Sequence, residues 1–144
     1  MQPNRLHEIF SIDSSNAGYY KNYSKYLNEL MSSLNYGAIA KVSKCFLGAR
    51  EKGATIFFVG NGGSAATASH FAQDLAEVGR KANVKSFKTL SLTDNVSFIT
   101  AVGNDYGYEK VFSVQMAELF NKGDVLVAIS ASGNSPNVIE AVKF

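Results

Sequence analysis

Thr55-Ile56-Phe57-Phe58-Val59-Gly60-Asn61-Gly62-Gly63-Ser64-Ala65 is the stretch that decides the fold. An unbroken apolar run of this length reads as a strand buried on both faces. It turns through small residues into a helical pattern. Such a turn presents backbone N–H groups and the positive end of a helix dipole, which suits an anion such as phosphate. The arrangement returns at Asp124-Val125-Leu126-Val127-Ala128-Ile129, followed by Ser130-Ala131-Ser132-Gly133-Asn134-Ser135. Two such turns in one sheet can hold a phosphorylated small molecule from both ends.

Between and around these turns the chain alternates. Residues 65–79 read as a helix, Ser86–Thr93 as a second strand and Asn95–Ala101 as a short helix. Val102–Gly107 reads as a loop and Tyr108–Asn121 as a helix leading into a third strand, Val125–Ile129. Ser135-Pro136 opens another helix, with serine suited to the cap and proline to the first helical position. Strand and helix in alternation imply an α/β fold, a doubly wound parallel sheet with helices on both faces. Upstream, Asn16–Lys52 reads as two helices broken near Asn35-Tyr36-Gly37. Tyr19, Tyr23, Tyr26, Leu27, Leu30, Met31 and Leu34 recur at helical steps there. The expected organisation is an oligomer-forming helical segment, residues 1–53, and a ligand-binding domain, residues 54–144. Three strands and a barely started helix leave an apolar sheet edge uncovered. The expectation is therefore a chain truncated in its last third, or completed by another subunit.

Composition narrows the classes. The 144 residues are 46% hydrophobic and 18% charged, with net charge +2, as in ordinary globular domains. Scattered basic residues give no stripe for nucleic acid. No apolar run is long enough to span a bilayer. Residues 1–8 lack a charged-then-apolar signal pattern. Cys45 is the single cysteine; without an internal disulfide, a cytoplasmic location is expected, and Cys45 reads as a core residue. The two histidines, His7 and His70, make a metal site wholly within the chain poor in nitrogen ligands.

Gly60, Gly62 and Ala65 fit the G-x-G-x-x-A form of a dinucleotide fingerprint. That motif wants an acidic residue about 20 positions on, at the end of the next strand. Asp94 lies further away, and the second serine loop has no place in a nicotinamide site, so no nucleotide cofactor is expected. Neither turn has the Gly-Lys-Ser/Thr of a P-loop. Ser130, Ser132 and Ser135 bring three hydroxyls within six residues. Hydroxyls and helix N–H groups can saturate a phosphate without lysine. Ser135 alone reads as a helix cap; the trio beside a matching first loop reads as a ligand site.

Gly60-Asn61-Gly62-Gly63-Ser64, His70-Phe71-Ala72-Gln73-Asp74, Val102-Gly103-Asn104-Asp105-Tyr106-Gly107 and Ile129–Ser135 occur in this order. Together they resemble the SIS (sugar isomerase) domain, in its phosphoheptose isomerase subgroup, from about Thr55 to Phe144. The resemblance implies a flavodoxin-like three-layer sandwich and a homo-oligomer, expected to be a tetramer with active sites at subunit contacts. The implied activity is isomerisation of a ketose phosphate to an aldose phosphate, with sedoheptulose 7-phosphate the first guess. Ser130, Ala131, Ser132 and Ser135 would then hold the phosphate. Asn61, Gly62, Gly63 and Ser64 would contact the sugar. Asn104 and Asp105 would hold hydroxyls or shape the site, although Asp105 reads equally as a turn residue.

His70 and Asp74 stand four apart, on one face of a helix. An isomerase of this kind needs a base beside a carbonyl and an acid or metal to polarise oxygen. The resemblance puts the acid/base at Asp74 and makes His70 its partner or a zinc ligand. Zinc at His70 and Asp74 would take its remaining ligands, a glutamine and a second histidine, from beyond residue 144. The family carries glutamate where this chain has Asp74, and commonly an acidic residue at Gln73. The shorter side chain draws the carboxylate back by roughly 1 Å, which matters for proton transfer. A non-catalytic SIS module that binds a phosphosugar or a protein as a signal therefore stands as the alternative. No membrane partner and no nucleic-acid partner are expected.

Overall fold

The computed structural model describes residues 5–144; residues 1–4, part of the stretch read for a signal pattern, lie outside it. The chain forms two compact units, Met1–Lys41 and Val42–Phe144. The first holds helix α1 (Arg5–Ile12), which the sequence reading did not anticipate, then α2 (Asn16–Ser32) and the start of α3 (Tyr36–Lys52). Ser15 caps α2 by accepting the Gly18 N–H at 3.1 Å, and Asn35 accepts the Ala38 N–H at 2.9 Å where α3 begins. These short polar side chains satisfy first-turn donors that have no helical partner. Tyr19 stacks on Tyr23, yet no residue of α2 is buried.

The second unit runs β1 (Thr55–Gly60), α4 (Gly63–Ala82), β2 (Lys88–Ser91), α5 (Val96–Asp105), a 3₁₀ turn (Tyr108–Lys110), α6 (Ser113–Leu119), β3 (Val125–Ile129) and α7 (Pro136–Lys143). The strands form one parallel sheet in the order β2-β1-β3, with Phe57 opposite Leu90 on one side and Leu126 on the other. Alternate residues of β1 serve opposite faces, as the two-residue period requires. Phe57 and Val59 pack with Leu92, Val102, Phe112, Met116 and Val138. Ile56 and Phe58 pack with Phe46, Ala68, Ala72 and Phe87. The rings of Phe46 and Phe71 lie 6.5 and 5.0 Å from that of Phe58. Fully burying one such ring stabilises by about 1.5–3 kcal/mol. At the far end of the sheet, Asp124 accepts N–H groups from Thr55 and Asn121 and so ties the entry of β3 to that of β1.

Helices cover both faces, and the chain leaves β1 toward β2 on one side and reaches β3 on the other. The carboxyl ends of β1 and β3 therefore flank the point where the winding direction reverses, the usual place for a ligand crevice in open α/β sheets.

Several local expectations are corrected. The segment Val102–Gly107 is not a loop: α5 continues through Asp105, with the Tyr106 N–H still bonded to the Val102 carbonyl at 2.8 Å. The second strand is shorter than Ser86–Thr93, and Tyr108–Asn121 is a 3₁₀ turn plus a short helix, not one helix. Helix α4 begins at Gly63, so Ser64 sits in its first turn. Cys45 is exposed, not a core residue, because Phe46 and Ala49 are the α3 side chains turned to the sheet.

Candidate functional site

Two glycines set the first loop. At Gly60 a Cβ would lie 2.6 Å from the Ser64 carbonyl oxygen, so only glycine lets α4 close onto the end of β1. Gly62 has φ 53° and ψ −121°, a conformation that side chains resist. The turn is tight enough that Ser64 N–H bonds to the Asn61 carbonyl at 2.9 Å and Ala65 N–H to that of Gly62 at 3.0 Å. Those donors turn inward. What the first mouth offers a ligand is chiefly the Asn61 amide and the Ser64 hydroxyl.

The second loop is held by its own hydroxyls. Ser130 Oγ accepts the Gly133 N–H at 3.1 Å, and Ser132 Oγ accepts the Asn134 N–H at 3.2 Å. A hydroxyl that accepts from backbone keeps its own proton to donate. Ser135 occupies the cap position of α7, but its side chain makes no cap hydrogen bond and lies 3.4 Å from Ser130 Oγ. The loop thus gathers three hydroxyls beside the N-terminus of α7, two of them, on Ser130 and Ser135, within hydrogen-bond reach of each other.

The two loops meet. Asn61, Ser64, Ile129, Ser130, Ala131, Ser132 and Ser135 line one cleft of about 210 Å³ at the switch point. That is smaller than sites for drug-sized ligands and suits a phosphate with the carbons next to it. Larger hollows of about 400 Å³ lie along α1 and α2, but no residue of the two loops lines either of them.

Gly62 and Gly63 shape the turn without lining the cleft. Asn104 and Asp105 stand exposed at the end of α5, where Asn104 Nδ2 donates to Asp105 Oδ1 at 2.7 Å; they too lie outside its lining. His70 Nε2 and Asp74 Oδ2 are 3.1 Å apart on α4, with side chains 75% and 60% exposed. They form a pair, apart from the serine cleft. One residue before His70, Ser69 bonds to the Asp94 carboxylate and lies 3.0 Å from Thr93 Oγ1, fixing this part of α4 against the end of β2. His70 and Asp74 supply two donors where zinc takes four. Among the described residues no group of three or more His, Cys, Asp or Glu is placed to hold a metal.

Two residues escaped the sequence reading. Asn137, in the first turn of α7, exchanges two amide hydrogen bonds with Asn61, both 2.8 Å. The Tyr108 hydroxyl reaches Asn61 Oδ1 at 3.1 Å. An asparagine after Ser-Pro reads as helix-start polarity, and its partner 76 positions away leaves no periodic trace.

Fold and cleft define a doubly wound α/β domain with a hydroxyl-lined crevice between two strand ends. The chain belongs to the SIS domain family, which matches residues 18–144. It is 49% identical over 113 residues to phosphoheptose isomerase 1 of Campylobacter jejuni, covering 78% of this chain and 60% of that protein. With the phosphoheptose isomerase of Campylobacter concisus it shares 42% identity over 124 residues, 85% of this chain and 61% of that one. Among solved structures, the phosphoheptose isomerase of Francisella tularensis superposes with a TM-score of 0.80 at 34% identity, covering 92% of this chain and 68% of that one. The Neisseria gonorrhoeae phosphoheptose isomerase gives 0.76 at 38% identity, with 88% and 65% covered. The chain spans about 60% of the length of the curated relatives it matches. No helix among the described residues is long and apolar enough to cross a membrane.

Proposed function

We propose that this protein is an aldose–ketose isomerase acting on a phosphorylated sugar, with sedoheptulose 7-phosphate as substrate. The observation that carries the reading is the meeting of the Asn61/Ser64 turn and the Ser130–Ser135 loop in one cleft. Ser130, Ser132 and Ser135 each donate a hydroxyl proton to the phosphate, and the α7 dipole adds to its hold. Asn61 and Ser64 bind the first hydroxyls beyond it. His70 follows Ser64 by six positions along α4, about 9 Å of rise. In the reaction a base removes the proton from the carbon beside the carbonyl. The electron pair forms an enediolate, and the proton returns to the neighbouring carbon, so atoms balance without redox change. Asp74 is the base in this reading, and His70 orients it. Where zinc is part of the reading, His70 and Asp74 would be two of its ligands, and its other positions would be filled by groups from outside the described residues. When bound, it would polarise substrate oxygens.

Exposed Leu27, Leu30 and Met31 on α2, with Ile39 and Val42 on α3, support assembly into a homo-oligomer, a tetramer in this reading. Use of one cysteine and a phosphorylated substrate support a cytoplasmic location. The test is incubation of the full-length protein with sedoheptulose 7-phosphate, following aldose formation, beside Asp74→Asn. Turnover by wild type and its loss in the variant are expected; equal inertness across several ketose phosphates overturns the catalytic assignment. That outcome, with phosphosugar binding intact, is what the second reading, a sugar-phosphate sensor, expects. The exposed His70–Asp74 pair and the short carboxylate favour that alternative.

A further inference from the structure

Asn137 is 1% exposed, one residue into α7. Its amide faces that of Asn61, each donating Nδ2–H to the other's Oδ1 at 2.8 Å. A third donor decides which way round the pair sits. The Val138 N–H bonds to Asn137 Oδ1 at 3.0 Å. A backbone N–H can only donate, so the atom it meets must be the oxygen. Asn137 Nδ2 must then face Asn61, and Asn61 must answer with its own oxygen. The Tyr108 hydroxyl occupies the other lone pair of Asn61 Oδ1 at 3.1 Å. Asn61 has now used both lone pairs and one proton. Its second Nδ2–H has no acceptor among the described residues, and Asn61 lines the serine cleft. We infer that Asn137 is a positioning residue: with Tyr108 it locks the Asn61 amide so that the remaining N–H is delivered into the cleft, toward an oxygen of the bound sugar phosphate. The pair also straps the turn after β1 to the helix that follows the serine loop, and so fixes the spacing of the two loops.

The ligand in this inference rests on the function proposed above; the amide orientation does not. The test uses the full-length protein. In wild type, proton exchange of the Asn61 side-chain amide, read by NMR, is expected to give one slow proton, bonded to Asn137, and one fast proton. The fast one is expected to shift on adding sedoheptulose 7-phosphate. Asn137→Asp keeps the acceptor for Val138 and Asn61, but when ionised it cannot donate to Asn61 Oδ1. At pH 8 its Kd for sedoheptulose 7-phosphate is expected to rise about tenfold over wild type. At pH 5 the ratio is expected to close, because a buried carboxyl is readily protonated and then donates. Ligand ionisation and the nearby Lys110–Glu140 pair are common to both proteins and cancel in the ratio. Equal exchange of both Asn61 protons, an unchanged Kd at pH 8, or the same loss at both pH values would each overturn the inference; the last would mark packing damage instead. Should Asn137→Asp not fold, Tyr108→Phe removes a hydroxyl from a 57% exposed side chain. It is expected to weaken binding about threefold with Tm unchanged, and no change counts against the inference. If wild type does not bind sedoheptulose 7-phosphate, the substrate reading fails, while the exchange pattern, which needs no ligand, still decides the orientation.

Discussion

Ser132 and Asp74 separate the two jobs of the proposed site. Ser132 Oγ accepts one loop N–H and has its proton to give. Hydrogen bonds to a charged group contribute about 1.5–3 kcal/mol, so Ser132→Ala is expected to weaken sedoheptulose 7-phosphate binding at least tenfold by calorimetry. Each serine leaves one loop N–H without its acceptor when replaced by alanine; Ser130→Ala should cost more, because Ser135 Oγ also loses its partner, 3.4 Å away. Asp74 is outside the cleft lining, so Asp74→Asn should leave that affinity near wild type while kcat falls by about 10²–10⁴. A matching loss of affinity in Asp74→Asn would show that the carboxylate holds substrate instead. The serines were legible in sequence because hydroxyls directly after a buried strand have few structural uses in such number. Asn137 was not, because its role comes from a partner that only the sheet brings near. Cys45 was misread for a related reason: α3 turns Phe46 and Ala49 inward, and the apolar period alone does not say which of its neighbours shares that face.

The strands were the most legible elements. The 55–59 run is apolar throughout, and burial on both faces leaves it no other place. The helices were legible in kind and less so in extent. Gly103-Asn104-Asp105 looks like turn chemistry, yet the Asn104 and Asp105 side chains bond to each other, leaving the backbone helical. The turn after β1 makes a sharper prediction. Gly60→Ala forces a Cβ against the Ser64 backbone and is expected to destabilise by about 1–3 kcal/mol, read as a lower urea midpoint. Gly63→Ala, with nothing within 4 Å of its Cβ, should leave the midpoint unchanged or raised. On α7, the Lys110 ammonium bonds to Glu140 and, with a smaller contribution from Lys143, holds that carboxyl below its usual range. A carboxyl depressed in the folded state contributes stability above its unfolded pKa, and that contribution is lost as pH falls through the folded value. The Tm difference between wild type and Glu140→Gln is therefore expected in full above the ordinary glutamate range, about pH 4.3, and should shrink progressively as pH falls below that range. A difference constant with pH would mean the pair acts through packing alone.

At the scale of the molecule the proposed labour is divided. The phosphate cleft is built from β1, β3 and their loops within one chain, whereas His70 and Asp74 face outward with most of their side chains in water. Proton transfer at carbon is efficient where water is excluded, because electrostatic stabilisation weakens in high dielectric. An exposed acid/base pair therefore needs a cover. Leu30 and Met31 on α2 are 43% and 61% exposed, a surface that contact between copies would bury. Leu30→Glu with Met31→Glu puts charge on that surface and is expected to lower the sedimentation coefficient toward that of a single chain. Binding of inorganic phosphate should persist, since its site needs one chain. Turnover of sedoheptulose 7-phosphate should fall at least tenfold with the assembly, and in wild type specific activity should drop on dilution through the dissociation constant. A single-chain variant with undiminished turnover would remove the shared site and leave His70 and Asp74 working in the open. Loss of phosphate binding along with turnover would place the serine cleft, too, under the control of the partner copy.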